Sequence, residues 1–474
     1  FVFDLRLHEC TQNCCFQGYL SGFSNLHEMG TDYEMKPRGY PASERDPMLK
    51  KIGMGVVPRD VGYLVYIVFL LNGLGALMPW NMFITIAPQY YVSYWFSGPN
   101  GTSTEYSTKF MPALGMASQL PNLSINIVNI FLVIGGSVLL RIIGPLVLNC
   151  INIIIVLLLI ALVDPSEDAM GWFYALTLVI VAILNASNGL YQNSIFGLTA
   201  DFPQNYTNAI VLGNNLCGIF TTVLNIICTL IFEDDIEAIA LLYFSISLVT
   251  LVACGVLMMV GSRRTFYKYY IAAGERARAE QNTEKPTLAQ YIECYKSCWV
   301  QLFNVFFTFF VTLAIFPAVM TSIPPVAEKG ADWTFFISQR MYVPFTTFLN
   351  FNLFAVLGSF SAGFFQIPSE RFLWIPVLAR GLFIPLFMFM NYLPDQRTLY
   401  VPKVLQSTWV FIMSVSLLAL TQGYFSSLGM MYAPRVVDKS LSMIAGKTAA
   451  MCLILGLASG ATFTLVIQAL VTSF

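Results

Sequence analysis

Eleven long apolar segments dominate this chain, and they constrain its fold more than any motif. They span residues 62–91, 109–134, 138–163, 171–199, 207–232, 238–261, 299–322, 341–365, 372–392, 404–432 and 441–472. Each reaches about the 20 residues that a helix needs to cross the hydrocarbon of a bilayer. With 57% hydrophobic and 11% charged residues, a soluble fold would expose very large apolar patches. The sequence therefore predicts an all-α polytopic membrane protein with eleven transmembrane helices.

Charge and residue types exclude several functional classes. The net charge of -1 gives no basic footprint for nucleic acid. The two histidines, His8 and His27, both lie near the amino terminus, and no grouping has metal-ligand spacing. No nucleophile with a base and no phosphate-binding loop is visible. We therefore expect no enzyme, no metal, no cofactor and no nucleic-acid partner.

Loop charge predicts the orientation and the domain boundaries. The 262–297 connection contains seven lysines and arginines, among them Arg263, Arg264 and Lys268, which the positive-inside rule assigns to the cytoplasm. Six spans precede it, so residues 1–60 become a cytoplasmic, disordered tail. Residues 61–261 then hold helices 1–6, and 298–474 hold helices 7–11. Asn100 begins an Asn-Gly-Thr sequon in the first outside loop and is the candidate glycosylation site.

Polar and helix-breaking residues interrupt the first apolar segment. Gly73, Gly75, Pro79, Trp80 and Asn81 lie where lipid-facing helices are uniformly apolar. An unpaired amide in hydrocarbon costs several kcal/mol, so such residues are expected where a helix lines a cavity or packs on neighbours. Two interpretations stay open from these residues alone: a solute pathway, or simple packing with Asn81 bonded to an adjacent helix.

The 6+5 division of helices favours a transporter. Many transporters consist of two halves around a central site, joined by a charged linker. A receptor or scaffold is the alternative, but a typical receptor has seven spans and no such divide.

Several motifs closely resemble the equilibrative nucleoside transporter family. They are LGALMPWNMFIT, LYQNSIFGLTADFPQNYTNAIVLGNNLCG, IFPAV, YVPFTTFLNFNLFAVLG, VLARGLFIPLFMFMNY and QGYFSSLGMMYAP, in that order along residues 60–472. The resemblance implies eleven helices, a cytoplasmic amino terminus, a large loop after the sixth helix and a fold related to the major facilitator type. It also implies nucleosides as substrates.

The resemblance also implies which residues meet the substrate. Trp80 matches a first-helix tryptophan whose indole offers a face for a base to stack on, and Asn81 matches a polar position beside it. Gln192 matches a fourth-helix glutamine suited to a nucleobase edge, and Asn352 an eighth-helix asparagine. For Gln192 and Asn352 the alternative is an interhelical hydrogen bond.

Four glycines are assigned to helix packing. Gly213 and Gly218 match fifth-helix family glycines, and Gly456 and Gly460 form a G-x-x-x-G pair in the last helix.

The eighth helix departs from the family pattern, which reads F-N-x-x-D-x-x-G-R. This chain has Ala355 and Ser359 in place of the carboxylate and the guanidinium. Each charged group is worth about 1.5 to 3 kcal/mol in a charge-assisted hydrogen bond, so their loss is expected to weaken or redirect selectivity. Ser359 is the candidate replacement for one donor.

The resemblance further implies a gate at the cytoplasmic side. Arg141 matches a third-helix arginine that pairs with an acid at the start of the last helix, where this chain has Met443 with Asp438 nearby. The alternative is that Arg141 reaches lipid phosphates. Lys447 and Arg380 are likewise expected to extend towards the interface from helix ends.

The absence of acids and histidines deep in the spans predicts facilitated diffusion without a coupling ion. The expected partners are a nucleoside or nucleobase and membrane lipid. The plasma membrane is the predicted location, with an endolysosomal membrane as the alternative. The alternative functions are transport of another solute, such as nucleobases or organic amines, and a transport-inactive member that acts through partners.

Overall fold

A computed structural model describes residues 57–98, 102–131, 137–232, 235–279, 288–321, 342–390 and 407–472, together with residues 323, 337, 392 and 405. The helices are α1 (Leu64–Ala87), α2 (Glu105–Phe131), α3 (Val138–Leu162), α4 (Met170–Thr199), α5 (Gln204–Ile231), α6 (Ile236–Ser262), α7 (Thr265–Ala279), α8 (Leu288–Ile315), α9 (Ala318–Thr321), α10 (Asn350–Phe364), α11 (Trp374–Ala379), α12 (Phe383–Met388), α13 (Thr408–Tyr432) and α14 (Ser442–Thr472).

Short elements connect or extend these helices. Three 3-10 helices cover Val61–Tyr63, Arg380–Leu382 and Lys439–Leu441, and two π-helices cover Pro88–Trp95 and Pro344–Leu349. Strands β1 (Ser97–Gly98) and β2 (Thr102–Ser103) pair antiparallel after the first span. Most of the predicted tail and Asn100 lie outside the described residues.

Nine spans in the described part of the chain are long and apolar enough to cross a membrane. They are Val61–Trp95, Val138–Leu162, Met170–Thr199, Gln204–Cys228, Ile236–Ser262, Ala289–Thr321, Pro344–Phe364, Thr408–Tyr432 and Lys439–Val471. Two further predicted spans coincide with α2, which contains buried Asn122 and Asn126, and with the shorter Trp374–Met388 segment. The all-helical class is thereby supported, while eleven crossings in a 6+5 arrangement remain a prediction.

Local sequence explains where several helices start. The side chain of Ser137 accepts a hydrogen bond from the amide of Leu140, and Asp235 accepts one from Ala238, so each caps the first turn of its helix. Pro203 stands immediately before α5, where its fixed φ and missing N–H cost nothing. Asp60 accepts from the amides of Val65 and Tyr66 and anchors the start of α1.

The helices pack in two blocks. In the first block, α1 packs on α5 and α6, α3 packs on α4 and α6, and α2 packs on α4. In the second block, α8 packs on α14 and α10 packs on α13. The blocks meet where α5 contacts α10 and α13, and where α14 contacts α4 and α2. A solute pathway between the blocks would therefore be lined by residues that face this junction.

Candidate functional site

Close approach to neighbouring helices explains two of the glycines in α1. A Cβ on Gly73 would lie 2.3 Å from the carbonyl oxygen of Ile210 on α5, and a Cβ on Gly75 would lie 2.4 Å from Sγ of Cys254 on α6. Contacts this short leave no space for a methyl group. These glycines therefore serve packing, which was one of the two interpretations of the motif.

Trp80 and Asn81 differ in how their polar groups are used. Asn81 Nδ2 lies 3.4 Å from Cys217 Sγ, a contact that joins α1 to α5. The Trp80 side chain is half-buried against the core of the first block, and within the described residues its indole N–H donates no hydrogen bond and its ring stacks on no other ring. By contrast, Trp95 stacks on Phe173 at 3.6 Å between ring centroids. The Trp80 ring is therefore half-buried and has no aromatic partner among the described residues.

The carboxyl-terminal half of α4 is polar, although it lies buried in the interior of the bundle. Ser187 donates to the carbonyl oxygen of Pro145 on α3 at 3.0 Å, and Tyr191 donates to Oδ1 of Asn72 on α1 at 2.7 Å. Asn193 donates to Oδ1 of Asn126 on α2 at 3.0 Å. Because polar groups in a membrane interior are costly unless bonded, these contacts fix α4 at the centre of the first block.

Gln192 lies among these bonded residues but has no such partner. Its side chain is 3% exposed, and no hydrogen bond joins it to any residue in the described ranges. An interhelical bond, the alternative expected for this residue, is therefore not formed within the described part. A primary amide that both donates and accepts remains available to a ligand.

Trp80 and Gln192 lie at different depths. The Tyr191–Asn72 hydrogen bond sets Gln192 close to the level of Asn72. Trp80 is eight residues farther along α1, which at 1.5 Å per residue is about 12 Å. The two side chains would therefore contact different parts of one solute rather than the same atoms.

Asn352 is used in helix contact. Its Nδ2 donates to Oγ1 of Thr222 on α5 at 3.2 Å. A Cβ on Gly218 would meet Asn352 Oδ1, so the glycine makes room for this amide. Asn352 thus ties α5 to α10, the bond foreseen as its alternative role.

Ser359 connects three helices. Its Oγ accepts from Nδ2 of Asn215 on α5 at 2.5 Å and donates to the carbonyl oxygen of Gly423 on α13 at 3.2 Å. Asn208 Nδ2 also donates to the Ser359 carbonyl oxygen at 3.1 Å. With 0% exposure, the hydroxyl has both its donor and an acceptor position occupied.

The neighbourhood of Ala355 is equally tight. A Cβ on Gly423 would lie 1.9 Å from the Ala355 carbonyl oxygen, and one on Gly358 would lie 2.1 Å from the carbonyl oxygen of Leu420. Helices α10 and α13 therefore touch backbone to backbone at the position where the family pattern places its charged pair. This packing accompanies small, uncharged residues at Ala355 and Ser359.

The remaining packing glycines lie at comparable contacts. A Cβ on Gly213 would be 2.0 Å from the carbonyl oxygen of Leu70 on α1. On α14, a Cβ on Gly456 or Gly460 would be 2.5 or 2.4 Å from carbonyl oxygens of α8.

Arg141 is half-buried near the start of α3, and Tyr291 on α8 lies within its electrostatic reach. Asp438 is exposed and forms no ion pair with any described residue, and Met443 is half-buried. The gating pair foreseen for Arg141 is thus not made with Asp438.

A different ion pair occupies this end of the bundle. Arg278 on α7 contacts both carboxylate oxygens of Asp201 at 3.1 and 3.0 Å, and Ser442 at the start of α14 donates to Asp201 Oδ1 at 3.1 Å. Burial raises the pKa of Asp201 above its usual value, while Arg278 and Lys439 act in the opposite direction. Sequence reasoning missed this cluster. The acid in the run LTADFPQ, between the end of α4 and the start of α5, was the signal that could have found it.

The structure corrects the expectation for Arg380. Its side chain is 2% exposed, and Nη2 donates to Oγ1 of Thr312 at 2.8 Å, so it does not reach the interface. The expectation for Lys447 is corrected as well: its side chain packs against Gly197 of α4, where a Cβ would lie 2.8 Å from Lys447 Cγ, instead of extending to the interface.

Apolar spans around a buried polar helix, with an amide that no described residue bonds, are consistent with a membrane transporter. The nucleoside transporter family model matches residues 178–469. The chain belongs to the nucleoside transporter family, so it is a transporter and not an enzyme, and its substrates are nucleosides.

Two relatives show how far the similarity extends. Equilibrative nucleoside transporter 1 of Rattus norvegicus is 29% identical over 465 residues, which cover 87% of this chain and 99% of that protein. Equilibrative nucleoside transporter 3 of Rattus norvegicus is 29% identical over 449 residues, covering 88% and 90%.

A solved structure, the major facilitator superfamily transporter FucP in its outward conformation, matches at 10% identity and a TM-score of 0.44. The match covers 86% of this chain and 96% of that one. Such a weak overall match leaves the major facilitator arrangement a prediction.

Proposed function

We propose that this chain moves nucleosides by facilitated diffusion, through a site between the two helix blocks that opens to each side in turn. The family supplies the substrate class, and the names of the rat relatives support the equilibrative mode. No histidine or acid that a coupling ion would need lies deep in the described spans. Concentration alone then sets the direction of transport.

The observation that carries the proposed site is the unbonded amide of Gln192. Its neighbours Tyr191 and Asn193 are bonded to other helices, while Oδ1 of Asn188 and Oγ of Ser194 on the same helix also have no partner among the described residues. An amide left unpaired in a membrane interior costs free energy that a ligand with matching donors and acceptors would recover. We assign Gln192 to the edge of the nucleobase.

We assign Trp80 to the face of the same nucleobase, which would stack on its indole ring. Asn81, Asn352 and Ser359 then hold α1, α5, α10 and α13 in position through the hydrogen bonds described above. They are positioning residues in this proposal.

Substitution of Gln192 tests the site. Because the side chain has no hydrogen bond to lose among the described residues, Gln192→Ala is expected to melt like the parent protein. Loss of one or two neutral hydrogen bonds to the solute is worth about 1 to 2 kcal/mol, which predicts a roughly 5- to 30-fold higher KM for nucleoside uptake into proteoliposomes.

Asn185→Ala is the matched control. The Asn185 amide is also buried on α4 but donates within its own helix, to the carbonyl oxygen of Val181 at 2.9 Å. Its KM should stay at the parent value. An unchanged KM in Gln192→Ala, or an equal rise in both variants, would contradict the assignment.

We further propose that the Asp201, Arg278 and Ser442 cluster closes the end of the bundle that bears the 262–297 connection. The Ser442–Asp201 bond joins α14 of the second block to the end of α4 in the first. Opening at this end requires that bond to break. We propose that this end faces the cytoplasm, as the loop charge predicts. We also propose that eleven helices are arranged 6+5 and that the protein lies in the plasma membrane.

A further inference from the structure

Lys447 packs against α4 at Gly197, which is more than one helical turn after Gln192. Asn193 Nδ2 donates to the Lys447 carbonyl oxygen at 3.1 Å, which fixes the backbone of α14 beside α4. The aliphatic chain of Lys447 then runs over Gly197, where a Cβ would lie 3.1 Å from Lys447 Cε. The side chain therefore points into the junction between the two blocks.

The charge of Lys447 is not balanced by a carboxylate. Its ammonium group makes no hydrogen bond and no ion pair with any residue in the described ranges. The nearby buried acid, Asp201, is already bonded to Arg278 and Ser442. The charges that act on Lys447 come from Arg141 and Arg278, and both are positive.

A cation in such a place needs a counter-charge. Removing an ammonium group from water is expensive unless it is paired, and ionisable residues inside membrane proteins commonly mark a ligand pathway. Arg141 adds a further positive charge nearby, whereas the charge of Arg278 is balanced by Asp201. Lysine is a common phosphate ligand that acts as a point charge.

The position of this ammonium relative to Gln192 limits which anionic ligands could contact both groups. Gly197 follows Gln192 by five residues on α4, which is about 7.5 Å along the helix axis towards the end that carries Asp201 and roughly 140° around it. One ligand can contact both groups only if it extends along and around α4. A nucleotide is elongated in this way, with its base at one end and its 5′ phosphate at the other.

We propose that Lys447 forms a phosphate site, so that this transporter binds nucleoside 5′-monophosphates in competition with nucleosides. This inference rests on the proposed function, because the base is bound at the same Gln192. Arg141 adds to the positive field, and Asn193 positions Lys447 through its backbone.

Competition by AMP tests the proposal in proteoliposomes that contain the full chain. AMP is expected to inhibit adenosine uptake in the parent protein. Lys447→Met should raise the half-inhibitory AMP concentration about tenfold, which corresponds to the loss of one charge-assisted hydrogen bond. The half-inhibitory concentration of unlabelled adenosine should stay within about twofold of the parent value. Lys447→Arg should retain the parent response to AMP, because it keeps the charge.

Lys109→Met is the matched control. Lys109 is exposed and paired with Glu105 at 2.6 Å in the first turns of α2, so the response to AMP should not change. Equal half-inhibitory AMP concentrations in the parent and Lys447→Met would overturn the proposal, as would no inhibition by AMP at all.

A melting assay on the detergent-solubilised protein separates this inference from the proposed function. AMP should raise the melting midpoint of the parent more than it raises that of Lys447→Met, whether or not adenosine uptake is measurable. Absent adenosine uptake would contradict the proposed function alone. Equal protection by inorganic phosphate and AMP at the same concentration would overturn the assignment to nucleotides.

Discussion

Replacement of Gly213 by alanine tests the contact that positions the first helix. The new Cβ would lie 2.0 Å from the Leu70 carbonyl oxygen and 2.8 Å from the Leu74 amide nitrogen. Both atoms belong to the backbone of α1, so no side-chain rotation relieves the overlap. An ordinary contact begins at 3.4 Å, so α1 and α5 must separate by the difference from 2.0 Å, about 1.4 Å.

The cost of that separation follows from the seam between the two helices. Overpacking usually costs about 1 to 3 kcal/mol, and here the neighbouring Gly73–Ile210 contact would loosen as well. Because α1 bears Trp80, the shift should also displace the ring on which the solute stacks. We expect a lower melting midpoint and a higher KM for nucleoside uptake.

Gly144→Ala provides the control. Gly144 lies in α3, and no atom lies within 4 Å of a Cβ built there. Alanine in a helix is favoured over glycine by about 0.5 to 1 kcal/mol, so this variant should melt at or slightly above the parent temperature. Thermal unfolding of the purified variants decides the matter. Equal melting midpoints for Gly213→Ala and Gly144→Ala would refute the reasoning.

Three further substitutions test other parts of the account. Trp80→Ala should raise the KM for nucleosides by the loss of about 1 to 3 kcal/mol of stacking, while Trp80→Phe should recover much of it; equal uptake kinetics in both would argue against stacking. Ser442→Ala keeps the Asp201–Arg278 ion pair but removes its bond to α14. A cysteine introduced at the end of the bundle that bears this cluster should then react faster with a thiol reagent. An unchanged rate would count against the proposal that the cluster closes this end. Ser359→Arg should lower the melting midpoint, because a buried guanidinium would displace the Asn215 and Gly423 contacts; a stable variant with tighter nucleoside binding would show that this position has room for the family's arginine.

The sequence predicted the helical spans well, because hydrophobicity is the property that defines them. It also singled out Trp80 and Asn81, because an aromatic ring and an amide inside an apolar segment require a reason, and the family resemblance added Gln192; the roles of these residues stay predictions. Those predictions used one residue and its immediate surroundings.

Predictions that required a partner were less successful. The Asn215–Ser359 bond joins residues 144 positions apart, and the Ser442–Asp201 bond joins residues 241 apart. Which side chains meet depends on the rotation of each helix, and a helix that is apolar on all faces gives little indication of that rotation. For the same reason, the burial of Arg380 against Thr312 could not be distinguished from a side chain that reaches the interface.

The central claim is that solute concentration alone drives nucleosides through a site that contains Gln192. Proteoliposomes with purified protein can be loaded with buffer and given labelled nucleoside outside, with and without an imposed proton gradient. The account predicts that the internal concentration rises to the external value and stops there in both conditions, at a rate that Gln192→Ala reduces at low substrate concentration. Accumulation above the external concentration under the proton gradient would contradict it.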